Sequence, residues 1–201
     1  MPNIELLEKS MPVAPIRIAA LGCRELAEEV DRKLVKFRNE LVERKQLSVI
    51  PQGYSEKSFI VECECPRFGT GEGKGYIKES VRGTDLYIMV DVTNYSESYT
   101  VCGHENHMSP DNHFQDLKRI ISAATGKAHR INVIMPFLYE GRQHRRTKRE
   151  SLDCALALKE LSDMGVSNII TFDAHDPRVQ NSIPLNGFDN FFPTYQFLKA
   201  L

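Results

Sequence analysis

Nowhere does the 201-residue sequence hold the roughly 20 consecutive apolar residues that a bilayer span needs, so no segment of it reads as a membrane-crossing helix. Charge of one sign is missing too. Its 26 Lys and Arg stand against 27 Asp and Glu, a formal net charge of -1, which removes the global basicity that nucleic acid or an anionic membrane surface would select. The five cysteines are odd in number and suit reduced thiols better than a secreted disulfide framework. The opening MPNIELLEKSMPVAP lacks the basic flank and apolar centre of a signal peptide, and a cytoplasmic protein is expected. Pro2, Pro12 and Pro15 make residues 1–15 an N-terminal arm with little regular structure. Residues 16–201 then suit one α/β domain whose core is large enough to fold without staples.

What is present centres on RINVIMPFLYEGRQHRRTKRE, Arg130 to Glu150. Ile131 to Phe137 is an apolar, β-branched run that predicts a buried strand. It delivers the chain into a loop where Arg142, Arg145, Arg146, Lys148 and Arg149 place five cations within eight residues, and a helical pattern from Leu152 follows. Ligands of open α/β sheets sit beyond the carboxyl ends of strands, so strand, basic loop and helix suit a polyphosphate. A solvated basic loop is the alternative.

The rest of the chain alternates in the same way. Ile16 to Leu21 predicts a first strand, and Arg24 to Glu43 a helix whose core face carries Leu26, Val30, Leu34, Phe37 and Leu41. Cys23, at the start of that helix, is either a thiol of lowered pKa or a structural cysteine. Phe59 to Cys65 alternates as a strand, and Pro66 to Gly75 is a four-glycine turn without Walker A spacing. Tyr76 to Arg82 is expected to re-enter the sheet, and Asp85 to Val92 predicts a buried strand. Residues 93–112 read as a long surface loop, whose Cys102, His104 and His107 do not match zinc spacings. Phe114 to Thr125 and 152–164 predict helices, and Asn168 to Phe172 a strand. Directly after that strand, Asp173, His175 and Asp176 offer two carboxylates and an imidazole that could hold a divalent ion; a hydrogen-bonded loop histidine is the alternative. Asn186 to Pro193 reads as a loop and Tyr195 to Leu201 as a helix. The fold class is therefore α/β, with a largely parallel sheet flanked by helices.

Four stretches, SVRGTDLYI (Ser80 to Ile88), VIMPFLYEGRQHR (Val133 to Arg145), RES (Arg149 to Ser151) and GVSNIITFDAH (Gly165 to His175), occur together and in order. In this combination the chain resembles the amino-terminal half of ribose-phosphate pyrophosphokinase, from about Ile16 to its end and most strongly over residues 80–181. The resemblance implies a phosphoribosyltransferase-like domain. It also implies transfer of the β,γ-diphosphoryl group of ATP to the 1-hydroxyl of ribose 5-phosphate, with Mg²⁺ as cofactor and AMP as the second product. By the same likeness Arg142, Gln143 and His144 match the nucleotide-binding segment, while His175, with Asp173 beside it, matches the metal- and phosphate-facing histidine. Phe68 and the Thr70-Gly71-Glu72 turn resemble the loop that reaches the adenine of a neighbouring subunit, which implies a homo-oligomer. Thr70 stands where the family often has an acidic residue.

The family's second domain carries the ribose-phosphate loop, the acidic PRPP motif and a catalytic basic pair. No DDxxTGGT-like stretch occurs in this sequence. The chain is thus expected to hold the ATP half of the site, with no catalytic residues of its own, as an enzyme fragment inactive alone. The alternative is a non-catalytic regulatory or assembly homologue. Neither nucleic acid nor membrane is an expected partner.

Overall fold

The structure is a computed structural model that describes residues 15–45 and 56–201; the expected N-terminal arm lies outside the described residues except for Pro15. In chain order the strands are β1 (Ile16–Leu21), β2 (Cys63–Glu64), β3 (Tyr76–Ile77), β4 (Asp85–Val90), β5 (Ser98–Val101), β6 (His104–His107), β7 (Arg130–Met135), β8 (Val166–Phe172) and β9 (Gly187–Phe191). The α-helices are α1 (Arg24–Lys45), α2 (Pro110–Ala124), α3 (Asp153–Asp163) and α4 (Thr194–Ala200), with a 3₁₀ turn over Pro177–Ser182.

Five strands form one sheet in the order β1-β4-β7-β8-β9, every pair parallel. The continuous apolar runs of β4 and β7 follow from this arrangement, because a parallel sheet is covered on both faces. On one face Leu86, Ile88 and Val133 pack with Leu117, Ile121 and Leu158 of α2 and α3. On the other, Ile18 and Met89 meet Ala27 of α1, with Val30, Leu34 and Ile134 at the margin.

Beside β1 runs the segment Phe59–Val61, joined by Ile18 N–H to Phe59 O and Val61 N–H to Ile18 O, both 2.8 Å. The chain therefore leaves β1 through α1 to one side and returns to the other side as β4. Strand order reverses at β1, which makes the carboxyl ends of β1 and β4 a topological switch point. The Asp31 carboxylate of α1 fixes this outer segment, accepting from Phe59 N–H at 2.7 Å and Ser58 Oγ at 2.9 Å.

That use of Asp31 explains a difference from the sequence pattern. The buried stripe of α1 carries Ala27 and Asp31, whereas Leu26 and Phe37, expected in the core, are 42% and 64% exposed. Helix α2 begins earlier than its apolar spacing implies because Ser109 caps it: Ser109 Oγ accepts from Asn112 N–H at 3.2 Å, Asn112 Oδ1 accepts from Ser109 N–H at 3.0 Å, and Pro110 fills the first turn.

Three further expectations are corrected. The segment after the four-glycine turn does not rejoin the main sheet; β3 pairs antiparallel with β2 in a separate two-stranded ribbon. Residues 93–112 are not a loop throughout, since β5 and β6 form an antiparallel hairpin. Its two-residue turn has Cys102 at φ 51° and Gly103 at φ 80°, the left-handed pair that matches strand twist. Asn186 to Pro193 contains β9, an edge strand paired to β8 from Asn168–Gly187 to Phe172–Phe191. The expected helix at the end is present as α4.

Candidate functional site

The basic loop leaves β7 through Pro136 and turns at Leu138, which is buried and accepts from Gly141 N–H at 3.0 Å. Gln143 then closes the loop on itself. Its backbone N–H donates to Glu140 O at 2.8 Å, its carbonyl accepts from Cys154 N–H at the start of α3, and its side-chain amide donates to Ser151 O at 2.8 Å. Gln143 thus shapes the loop, while Arg142, Arg145, Arg146, Lys148 and Arg149 are exposed and form no ion pair among the described residues. Five unpaired cations on a loop clasped at both ends make a concentrated field for a multiply charged anion.

His144 points from this loop toward the end of the neighbouring strand. Its Nδ1 lies 3.2 Å from Arg142 O and its Nε2 3.6 Å from Asp176 Oδ2. The His144 and His175 rings are 5.0 Å apart at 57°. Parallel pairing of β7 with β8 is what brings the two histidines together, because it sets the ends of both strands side by side. Asp176 also accepts from Arg178, from Nε at 3.0 Å, Nη2 at 2.6 Å and the backbone N–H at 2.9 Å. These Arg178 hydrogen bonds, with the His144 imidazole as a weaker influence, hold the Asp176 carboxyl well below the usual carboxylate range, so it is ionised at neutral pH.

Asp173 and His175 stand exposed on the turn after β8, with Asp173 in the left-handed region at φ 48°. Edge strand β9 holds that turn: Asp173 N–H donates to Phe191 O at 2.9 Å and Ala174 N–H to Asn190 Oδ1 at 3.0 Å. Among the described residues no group of three or more His, Cys, Asp or Glu side chains meets in a way that could hold a metal. One imidazole and one carboxylate still suit Mg²⁺, which keeps several waters and shares its remaining positions with phosphate oxygens. The same finding removes Cys102, His104 and His107 as a metal cluster.

Phe68, Thr70 and Glu72 project from the four-glycine turn, with Phe68 55% exposed. The turn is itself a tight hairpin, with Phe68 N–H donating to Glu72 O at 2.7 Å and Gly71 N–H to Phe68 O at 2.9 Å. No hydrogen bond or ion pair joins it to Arg142, His144 or His175 among the described residues. The candidate residues therefore form two groups, a basic, histidine-bearing corner at β7 and β8 and an aromatic and acidic turn with no hydrogen bond to it among the described residues.

A cleft of about 700 Å³ opens at the switch point, lined by Gly22, Cys23, Asp91, Thr93, Asn94 and Phe137. Gly22 is at φ 68°, and a Cβ there would come within 3.0 Å of Asp91 O and 3.2 Å of the His113 ring, so the strand can leave the sheet here only through glycine. Burial pushes the Cys23 thiol up to about 11, which leaves it a structural residue rather than a reactive one.

Residues 18–165 match the family model for the N-terminal domain of ribose phosphate pyrophosphokinase. The chain belongs to that family. A Streptococcus pneumoniae relative whose name places it among the ribose-phosphate pyrophosphokinases is 35% identical over 137 residues, 66% of this chain and 38% of the relative. Ribose-phosphate pyrophosphokinase of Corynebacterium ammoniagenes is 30% identical over 129 residues, 62% of this chain and 36% of the relative. The matched part is thus well under half the length of these curated relatives. The crystal structure of phosphoribosylpyrophosphate synthetase from Mycobacterium smegmatis superposes with a TM-score of 0.66 at 21% identity, over 92% of this chain and 51% of that one, and shows the shared fold.

One contributor was read only in part and one was missed. Asp176 is a candidate metal-holding carboxylate in the sequence, but its approach to His144 depends on the β7–β8 pairing. Asn190 lies in a stretch that reads as loop, and its hold on Ala174 exists only because β9 is a strand.

Proposed function

We propose that this chain is the ATP-binding portion of a ribose-phosphate diphosphokinase, which moves diphosphate from ATP to ribose 5-phosphate to give PRPP and AMP. The observation that carries the reading is the unpaired basic loop ending at the paired imidazoles His144 and His175. Diphosphoryl transfer calls for positioning and charge neutralisation more than covalent help from the protein. In this reading Arg142 and its neighbours take the phosphates, and His144, 3.6 Å from Asp176, lines the same corner. His175 and Asp173 offer an imidazole and a carboxylate to Mg²⁺, which would neutralise phosphate charge there. Phe68 stacks on adenine, and Glu72 accepts from the exocyclic amine beside Thr70 and Gly71. The likeness of the Phe68 to Glu72 turn to the family's loop that reaches the adenine of a neighbouring subunit supports a cytoplasmic homo-oligomer as the active form. Ribose 5-phosphate and the catalytic groups belong to a further domain of the kind the family carries.

Calorimetric titration with Mg-ATP, at several protein concentrations and with Mg-GTP as control, tests this. Saturable binding that prefers adenine and tightens with protein concentration is the expected result. Arg142→Ala should weaken it roughly ten- to hundredfold, the loss of one charge-assisted contact of about 1.5–3 kcal/mol. Binding to a complete synthetase without any nucleotide affinity would instead support an assembly homologue.

A further inference from the structure

The β5–β6 hairpin has no part in the phosphate corner, yet it is firmly rooted. At its base Met108 N–H donates to Glu97 O at 2.9 Å, and Met108 is buried. Asn94 Nδ2 donates to Gly22 O at 2.8 Å, and the His113 imidazole lies 2.8 Å from Asn94 O. The far end of the hairpin rests on the four-glycine turn. The Arg67 guanidinium stacks over the Tyr99 ring at 4.9 Å, and the Cys102 thiol lies 3.8 Å from Gly69 O. Gly71, at φ 90°, packs so closely beneath Val101 that a Cβ there would come within 3.3 Å of Val101 Cγ2. Arg67 is in turn held by Asp116 of α2, through two contacts of 2.8 Å.

Four glycines give this turn more conformational freedom than any other segment of comparable length, and freedom lost on binding a base weakens the binding. The hairpin removes that freedom in advance. It touches Gly69 and Gly71 and leaves Phe68, Thr70 and Glu72 exposed, with Thr70 Oγ1 donating to Glu72 Oε2 at 2.8 Å. We propose that the β5–β6 hairpin is a brace that fixes the four-glycine turn and thereby sets its preference for adenine, with Tyr99 and Val101 as the positioning residues. This inference rests on the assignment of Phe68, Thr70 and Glu72 to the base.

The test compares the 201-residue chain with its Tyr99→Ser, Val101→Ser variant. Both substitutions lie in the peripheral ribbon, outside the two core clusters. Affinities for Mg-ATP, Mg-GTP and inorganic triphosphate are measured, together with amide hydrogen exchange. The variant should bind Mg-ATP about tenfold more weakly, as expected when a loop must be ordered at the moment of binding, and its preference over Mg-GTP should shrink accordingly. Inorganic triphosphate should bind both proteins equally. Exchange at Phe68 and Gly71, whose amides hold the turn, should accelerate while β4 and β7 stay protected. Unchanged adenine preference in a variant that still binds Mg-ATP would overturn the brace and leave the nucleotide site standing. So would unchanged exchange at Phe68 and Gly71. Failure of the parent chain to bind Mg-ATP at any concentration would overturn the nucleotide site itself, and the adenine role with it.

Discussion

Asp173 is held at φ 48°, where a side chain other than glycine costs about 1 kcal/mol or more, and two hydrogen bonds from the turn to β9 maintain it there. This contrast separates chemistry from support. Asp173→Gly should fold with stability within about 1 kcal/mol of the parent, because relief of strain offsets the entropy that glycine adds to the unfolded chain. It should nevertheless lose part of the Mg²⁺ dependence of ATP binding, since the carboxylate is gone. Asn190→Leu should do the reverse of this in stability: the buried Ala174 N–H loses its acceptor, at a cost of about 1–3 kcal/mol in denaturant titration. An Asp173→Gly variant that binds Mg-ATP with undiminished metal dependence would remove Asp173 from the site.

Between elements, one charged cluster ties the four-glycine turn to the core. Asp116 of α2 receives two contacts of 2.8 Å from Arg67 and is paired with Arg119 as well, and both Asp116 and Arg67 are almost fully covered. Asp116→Ala leaves Arg67 buried without its counter-charge, which should cost about 3–5 kcal/mol and lower the melting temperature far more than a surface carboxylate would. Asp116 was hidden in the sequence for the same reason that Asp31 was: an acidic residue on the inner side of a helix looks like an error in the apolar stripe until its partner, many residues away, is known. The legible elements are those with strong local signals: β1, β4, β7 and β8, as short apolar β-branched runs, and α1, α2, α3 and α4, as helical patterns. Those that were not legible are peripheral. β9 carries Gly187, Asp189 and Asn190, residues that read as turn, and β5–β6 turns through Cys102-Gly103 instead of an Asn-Gly pair. The site divides similarly. The basic loop could be read from local composition, whereas the His144–His175–Asp176 corner required the β7–β8 pairing, a tertiary fact that no local window contains.

Across the whole molecule, four thiols are set in surroundings that oppose their ionisation, and they lie on both sides of the main sheet. Cys154 and Cys65 belong to or border the α2–α3 face, and Cys23 borders the α1 face. Burial pushes Cys23, Cys63 and Cys154 up to about 11 and Cys65 up to about 12, against an ordinary value of 9.0. A thiol whose folded pKa is raised keeps its proton in the native state after the unfolded chain has released it. The stabilising contribution is therefore complete below about pH 9 and is lost as pH rises toward 11 to 12. The melting temperature should accordingly decline through this alkaline window, with the raised tyrosines Tyr87 and Tyr139, both shifted first by burial, adding in the same direction. Thiolate absorbance distinguishes this from a general alkaline collapse: at pH 10 the native protein should display clearly less thiolate than the denatured chain, and the missing signal should appear in step with unfolding. If native and denatured proteins instead show equal thiolate at that pH, their surroundings do not hold these thiols protonated, and the alkaline decline has another source.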